Sequence, residues 1–221
     1  MYLLIPLCLC LAAVFLWQES KRNYVPAVIL KGLASACFVL LGFLLKGEGG
    51  SRTANLIVTG LLLGCVADVL LNLRYVFEKK GQLIFLVGIL VFLSGHILYL
   101  AAILPGAKHW LLCVLAGVVL TALLMWRIFQ RITAKKAFKI FGVVYIGAIM
   151  LLNCVAMGNL MAAPGPFTAL FAAGSVLFLV SDIVLILNTF GSRTRQSLRV
   201  ANISLYYLGQ LLIALSLLFL K

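Results

Sequence analysis

The chain contains 221 residues, of which 65% are hydrophobic and 10% are charged, whereas a soluble domain is about 45–50% apolar. This composition excludes an ordinary soluble domain and predicts an all-α, polytopic membrane helical bundle. The formal net charge of +13 does not indicate a nucleic-acid partner, because the 18 Lys and Arg residues are spread over short segments between apolar stretches.

Eight apolar stretches are each long enough to cross the hydrocarbon core, which takes about 20 helical residues. The first stretch lacks the basic segment and the cleavage site of a signal peptide, so we expect it to remain as a span. The eight spans would form one integral membrane domain, residues 1–221. The predicted spans are 2–17, 26–45, 55–76, 82–103, 109–129, 138–159, 165–190 and 198–220.

Basic residues distinguish the two sides of the predicted bundle. Loops one, three, five and seven contain 13 of them, and the opposite side contains four. The positive-inside rule therefore predicts that both termini lie outside the cytoplasm, in a bacterial inner membrane. The 13 residues are Lys21, Arg22, Arg74, Lys79, Lys80, Arg127, Arg131, Lys135, Lys136, Lys139, Arg193, Arg195 and Arg199, and the other four are Lys46, Arg52, Lys108 and Lys221.

A shift of 114 residues aligns the chain with itself at several small and polar positions. Four spans in each half would give parallel repeats, residues 1–107 and 108–221, related by an axis along the membrane normal. Shared hydrophobic composition is the alternative explanation. The aligned pairs are Gly60 with Gly174, Asp68 with Asp182, Gly95 with Gly209, Lys31 with Tyr145, and His96 with Gln210.

Two of the five acidic residues lie inside predicted spans, Asp68 in span three and Asp182 in span seven. Each costs about 2.5–3.5 kcal/mol on insertion scales, so each needs a compensating partner or a function. Both spans run toward the cytoplasm, and Asp68 precedes Arg74 by about 9 Å of helix. We therefore predict that both carboxyls converge in one cavity open toward the cytoplasmic leaflet. The alternative is a hydrogen bond between helices that only stabilises the bundle.

Other polar side chains share helical faces within the spans, and each also fits a structural role. Asn72 lies one turn beyond Asp68. Lys31 could snorkel to the interface, and the tyrosines and His96 could be packing residues. The chain has only two histidines, and its six cysteines lack the C-x-x-C spacing of zinc ligands, so we expect no metal. No nucleophile elbow is present.

The motifs GLLLGCVADVLLNL, FLSGHILYL, GSVLFLVSDIVL and YYLGQLL resemble those of the YhhN-like lysoplasmalogenase family over most of the chain. Ala67 stands before Asp68 where the family commonly has glycine. The resemblance implies an eight-span hydrolase in which Asp68 and Asp182 are catalytic. The residues assigned to substrate binding or orientation are Lys31, Asn72, His96, Tyr99, Tyr145, Ser181, Tyr207 and Gln210.

The implied reaction cleaves the vinyl ether of a lysoplasmalogen into a fatty aldehyde and a glycerophospho-ethanolamine or -choline. Protonation of the β-carbon gives an oxocarbenium ion that water captures, so an acid and a nearby carboxylate suffice and no cofactor is expected. The expected partner is a membrane lysophospholipid. The alternative is a small-solute or lipid transporter with protonatable aspartates, whose site would lie near the membrane midplane.

Overall fold

The computed structural model describes residues 1–133 and 136–220. Lys135 and Lys221, two of the basic residues on which the predicted topology depends, lie outside the described residues. Within the described part of the chain there are eight α-helices and no β-strand. They are α1 (Leu4–Ser20), α2 (Tyr24–Lys46), α3 (Arg52–Leu73), α4 (Gly81–Ile103), α5 (Trp110–Phe129), α6 (Lys136–Ala162), α7 (Pro166–Phe190) and α8 (Gln196–Ser216).

The prediction of an eight-helix membrane bundle is confirmed. Among the described residues, seven helices, α2 to α8, are long and apolar enough to cross a membrane. The first helix, α1, is apolar but has 17 residues, so it is about 25 Å long and lies at the short end of the spanning range. In a helix the backbone N–H and C=O groups bond to one another, so they need no hydrogen-bonding partner from the hydrocarbon, which offers none.

Local capping signals set two helix starts. The Ser51 side chain accepts a hydrogen bond from the Ala54 backbone N–H at 3.2 Å, so α3 begins at Arg52 rather than at the predicted residue 55. Pro166 occupies the first position of α7, where its missing N–H costs nothing and its fixed φ suits the helix. The apolar runs predict that the helices exist, and these capping residues determine where two of them begin.

The chain folds into two compact units. The first unit contains Met1–Ala102 and the C-terminal stretch from Ile213, and the second contains Ile103–Leu212. In the first unit α2 packs against both α1 and α3, and in the second unit α6 packs against both α5 and α7. The units differ from the predicted repeats because the 3₁₀ turn Leu217–Phe219, which follows α8, packs on α2.

Each unit contains a close helix crossing at a pair of glycines. A Cβ added to Gly95 would lie 3.2 Å from the carbonyl oxygen of Gly60, and a Cβ added to Gly209 would lie 2.8 Å from that of Gly174. A side chain at either crossing would force the helices apart, so the close approach needs glycine. Both pairs obey the 114-residue shift, as a repeat would require. A leucine Cβ also lies close at each position, that of Leu63 at 3.6 Å and that of Leu177 at 3.5 Å, and these two residues differ by 114 as well; at Gly209 the Phe178 backbone nitrogen lies closer, at 3.1 Å.

Candidate active site

The first unit holds Asp68 in a buried polar cluster, formed by Lys31 and Ser35 of α2 and by Asp68 and Asn72 of α3. Lys31 Nζ lies 3.0 Å from Asp68 Oδ1, and Ser35 Oγ donates to Asp68 Oδ2 at 2.6 Å. Lys31 Nζ also donates to Asn72 Oδ1 at 3.4 Å. Both carboxylate oxygens are therefore engaged by donors of the neighbouring helix.

Burial makes this ion pair different from a surface salt bridge. Asp68 is 1% exposed and Lys31 is 4% exposed. The snorkelling alternative for Lys31 is wrong, because its ammonium lies on Asp68 inside the unit. The ring of Phe15, from α1, covers the same ammonium with its centroid at 5.6 Å. Removing one partner of such a pair leaves an uncompensated charge, which is strongly destabilising.

Sequence reasoning missed Ser35. It lies one helical turn beyond Lys31 and is fully buried. Its signal was the spacing: a hydroxyl four residues after an intramembrane lysine shares that lysine's helical face. Asn72 lies on the same face of α3 as Asp68, as predicted, and its oxygen accepts from Lys31.

The second unit holds Asp182 against Tyr145. The Tyr145 hydroxyl, on α6, donates to Asp182 Oδ2, on α7, at 2.8 Å. Tyr145 is 8% exposed and Asp182 is 5% exposed. The donor and the acceptor each lie 114 residues beyond Lys31 and Asp68. Equivalent positions thus hold a carboxyl in both units, but the donor is an ammonium in the first and a phenol in the second.

Next to Asp182, the buried residue Ser181 connects α7 to α8 by hydrogen bonds. Asn202 Nδ2 donates to the Ser181 backbone oxygen at 2.9 Å and to its Oγ at 2.8 Å, and Ser181 Oγ donates to the Asn202 backbone oxygen at 3.0 Å. Arg199 donates to Asn202 Oδ1 at 3.2 Å. Ser181 therefore joins α7 to α8 by hydrogen bonds beside Asp182, and its predicted role in substrate orientation stays a prediction. Asn202 was missed; a polar residue within an apolar helix was its only signal.

His96 and Tyr99 are buried on α4 of the first unit, and their rings meet edge to face with centroids 6.2 Å apart. The Tyr99 ring also fills the space beside Gly60, where a Cβ would overlap it. Phe92 stacks on His96 with centroids 6.4 Å apart. These contacts support the packing role that the sequence allowed for both residues, and they leave the orienting role a prediction.

Tyr207 and Gln210 are buried on α8 within the second unit. Gln210 Nε2 donates to the hydroxyl of Tyr206 at 3.3 Å, and the rings of Tyr206 and Tyr207 meet at 5.1 Å. Tyr206 and Gln210 occupy the positions that Phe92 and His96 occupy in the first unit. Both units therefore have an aromatic ring followed four residues later by a polar side chain: Phe92 and His96 in the first, Tyr206 and Gln210 in the second.

The predicted site residues divide between the two units, and the convergence of the two aspartates stays a prediction. Among the described residues, no group of three or more His, Cys, Asp or Glu side chains is placed to hold a metal ion. The first unit contains Lys31, Asp68, Asn72, His96 and Tyr99, and the second contains Tyr145, Ser181, Asp182, Tyr207 and Gln210.

The sequence model of the YhhN family matches residues 2–217 of the 221-residue chain. The chain belongs to the YhhN family. The match covers both polar clusters of this YhhN protein, so the resemblance drawn from its motifs is confirmed. Comparisons of the chain with curated proteins and with solved structures find no match.

Proposed function

We propose that this YhhN protein is an intramembrane hydrolase that cleaves the vinyl ether bond of lysoplasmalogens. Its products would be a fatty aldehyde and a glycerophospho-ethanolamine or -choline. The observation that carries the proposal is the pair of buried carboxyls, each held by a donor of the neighbouring helix at equivalent positions. The association of the YhhN family with lysoplasmalogenase activity supports the choice of substrate.

Two carboxyl groups provide the chemistry that vinyl ether hydrolysis needs. A carboxylic acid protonates the β-carbon, and the resulting oxocarbenium ion is stabilised by a negative charge until water adds to the α-carbon. The hemiacetal then separates into an aldehyde and an alcohol. Inside a bundle of low dielectric constant, both the acid and the stabilising charge act more strongly than they do in water.

The position of each aspartate along its helix supports a lipid substrate. Asp68 lies five residues before Leu73, the last residue of α3, which is about 8 Å of helix. Asp182 lies eight residues before Phe190, the last residue of α7, which is about 12 Å. These depths suit a bond close to the glycerol of a phospholipid, because the hydrocarbon core is about 30 Å thick.

One observation favours the alternative of a transporter. The glycine crossings and the carboxyl-donor pairs recur at the same register in both units, and repeated units are common in transporters. Aldehyde release separates the two functions, because transport of a lipid leaves its vinyl ether intact.

The test uses the purified protein in detergent micelles with a lysoplasmalogen and with the matching saturated ether lipid. We expect aldehyde from the vinyl ether alone. Asp68→Asn and Asp182→Asn should each lower aldehyde release by at least about 100-fold, the lower range for loss of general acid-base catalysis. His96→Gln should cost less, because glutamine stands at the equivalent position 210.

Thr121→Val is the matched control, since Thr121 is a buried hydroxyl that bonds only within α5 among its described contacts, to Gly117 O at 2.6 Å. It should leave the rate unchanged. Absence of aldehyde with the wild type would overturn the proposed function. Full activity of either Asn variant, with an unchanged unfolding profile, would remove that aspartate from the mechanism.

A further inference from the structure

We infer that a groove between α5 and α6 binds an anionic phospholipid, with one acyl chain along the groove and the phosphate on Arg127 and Lys139. The groove lies within the second unit and has a volume of about 660 Å³. Among the described residues that line it, none belongs to either polar cluster of the candidate active site. The inference therefore goes beyond the proposed function and does not rest on it.

The length of the groove matches one leaflet of a bilayer. The two helices approach closely at Gly117, where an added Cβ would lie 3.3 Å from the Cα of Leu151. From this contact the groove extends toward the end of α5, as far as Phe129. Phe129 lies twelve residues beyond Gly117, which is about 18 Å of helix. Half of the hydrocarbon core is about 15 Å thick, so one acyl chain fits along the groove.

The walls of the groove are apolar and exposed. Val118 of α5 is 64% exposed and Val144 of α6 is 54% exposed, and both line the groove. The hydroxyl of Thr121, which also lines it, already donates to the backbone oxygen of Gly117 at 2.6 Å. Apolar side chains exposed on a membrane helix contact lipid chains, and a groove adds van der Waals contacts on both sides of one chain.

Two cations lie on aromatic rings at the end of the groove. The guanidinium carbon of Arg127 lies 4.7 Å from the centroid of the Trp126 ring, and Lys139 Nζ lies 5.5 Å from that of Phe129. Both rings line the groove. Tryptophan is typical of the interface between hydrocarbon and headgroups, so the two cations lie at the level of lipid phosphates. Arginine and lysine are the side chains that bind phosphate oxygens most strongly.

The helix pair supplies no negative charge for these cations. Residues 108–162 include six Lys and Arg residues and no acidic residue. Among the described residues, neither Arg127 nor Lys139 forms a salt bridge. An anionic lipid supplies the counter-charge, whereas a zwitterionic lipid brings its own ammonium group. A second copy of the chain would share the orientation of the first and would bring its own cations to the same depth, where they repel.

A second groove between the same helices lacks the cations. It has a volume of about 610 Å³ and extends toward the start of α5, where His109 lines it. Among its described lining residues there is no lysine or arginine. An apolar groove of this size is thus present at both ends of the helix pair, and the cation-bearing rings are particular to the groove that ends at Phe129.

Quenching of tryptophan fluorescence tests the inference, because Trp126 lines the groove. The chain has three tryptophans, so Trp17→Phe/Trp110→Phe leaves Trp126 as the reporter. The purified full-length protein in non-ionic detergent micelles is titrated with phosphatidylglycerol and with phosphatidylcholine, whose identical chains carry bromine close to the headgroup. We expect phosphatidylglycerol to quench Trp126 at a concentration about 25-fold lower, since each cation near an anionic headgroup contributes a factor of about 5.

Matched variants separate the cations from the groove. Arg127→Gln and Lys139→Gln should each lower the preference for phosphatidylglycerol by about 5-fold. Lys108→Gln is the control, because it removes a cation before the start of α5 and should leave the preference unchanged. Val118→Phe should weaken quenching by both lipids, because its ring occupies the groove. Its control is Val119→Phe, since Val119 is 56% exposed but lies outside the groove.

Three results would overturn the inference. The first is equal quenching by the two lipids, and the second is a loss of preference in Lys108→Gln as large as in Arg127→Gln. The third is a wild type that light scattering shows to be a dimer and that becomes a monomer with Val118→Phe, because a second copy of the chain would then occupy the groove.

Discussion

The ion pair of Lys31 and Asp68 makes a specific prediction about stability. Lys31→Met removes the ammonium but keeps an apolar side chain of similar length, so Asp68 is left buried with its Ser35 hydrogen bond. The side chains of Lys31 and Asp68 are 5% and 2% exposed, so the cost of breaking a buried pair applies, about 3–5 kcal/mol, rather than the 0–1 kcal/mol of a surface pair.

One feature of the site narrows this range of energies. The Ser35 hydroxyl still donates to the charged carboxylate, and such a bond contributes about 1.5–3 kcal/mol. We therefore expect Lys31→Met to lower the free energy of unfolding by about 3–4 kcal/mol. For a chain of this size the melting temperature should fall by about 6–16 °C.

A double-mutant cycle in detergent micelles measures the interaction itself. Lys31→Met/Asp68→Asn leaves two neutral side chains, so it should recover most of the lost stability and give a coupling of about 2–3 kcal/mol. Lys46→Met is the control, because the Lys46 ammonium bonds to Asn55 in an exposed position at 2.7 Å. This change should stay within about 0.5 kcal/mol. Additive single costs, with a coupling below about 0.5 kcal/mol, would show that the pair is not an energetic unit.

Two further predictions concern the crossings and the topology. Gly209→Ala should destabilise the protein by about 1–3 kcal/mol and Gly95→Ala by less, because the added Cβ meets a backbone oxygen at 2.8 Å in the first case and 3.2 Å in the second. Thermal unfolding measures these effects. Gly147→Ala is the control and should be neutral or stabilising, because its added Cβ would meet only a methyl group at 3.7 Å. Equal effects at all three glycines would contradict the crossing geometry. A reporter fused after Lys221 should be accessible from outside the cytoplasm, because 13 basic residues lie in the loops of the opposite side; cytoplasmic accessibility of both termini would refute this topology.

The sequence predicted the helices well because hydrocarbon allows few other structures. A stretch of about 20 apolar residues in a membrane must satisfy its backbone internally, so length and composition suffice for existence and type. The exact starts depended on short signals such as the Ser51 cap, which periodicity does not contain. The first helix is the weakest case, since its 17 residues barely reach a spanning length.

The candidate site was predictable only in part. Asp68 and Asp182 were identifiable because an ionisable side chain within an apolar helix is costly and needs a partner or a function. The contact of Lys31 with Asp68 did not follow from the sequence, because it depends on the rotation of α2 against α3, and side-chain spacing along one helix does not determine that rotation. Ser35 and Asn202 were missed for the same reason: serine and asparagine are common in helix contacts, and only their partners distinguish them.

The low dielectric constant of the bundle makes the difference in donor between the two equivalent positions important. In water, a neighbouring lysine changes the energy of a carboxylate by only about 1 kcal/mol at 4 Å, so replacing it by tyrosine would matter little. In a buried site the same contact decides whether the charge is tolerated at all. Lys31 and Tyr145 lie 114 residues apart, each against an aspartate with the same spacing from it. The two aspartates therefore occupy equivalent positions but face different donors, a buried ammonium in the first unit and a phenol in the second.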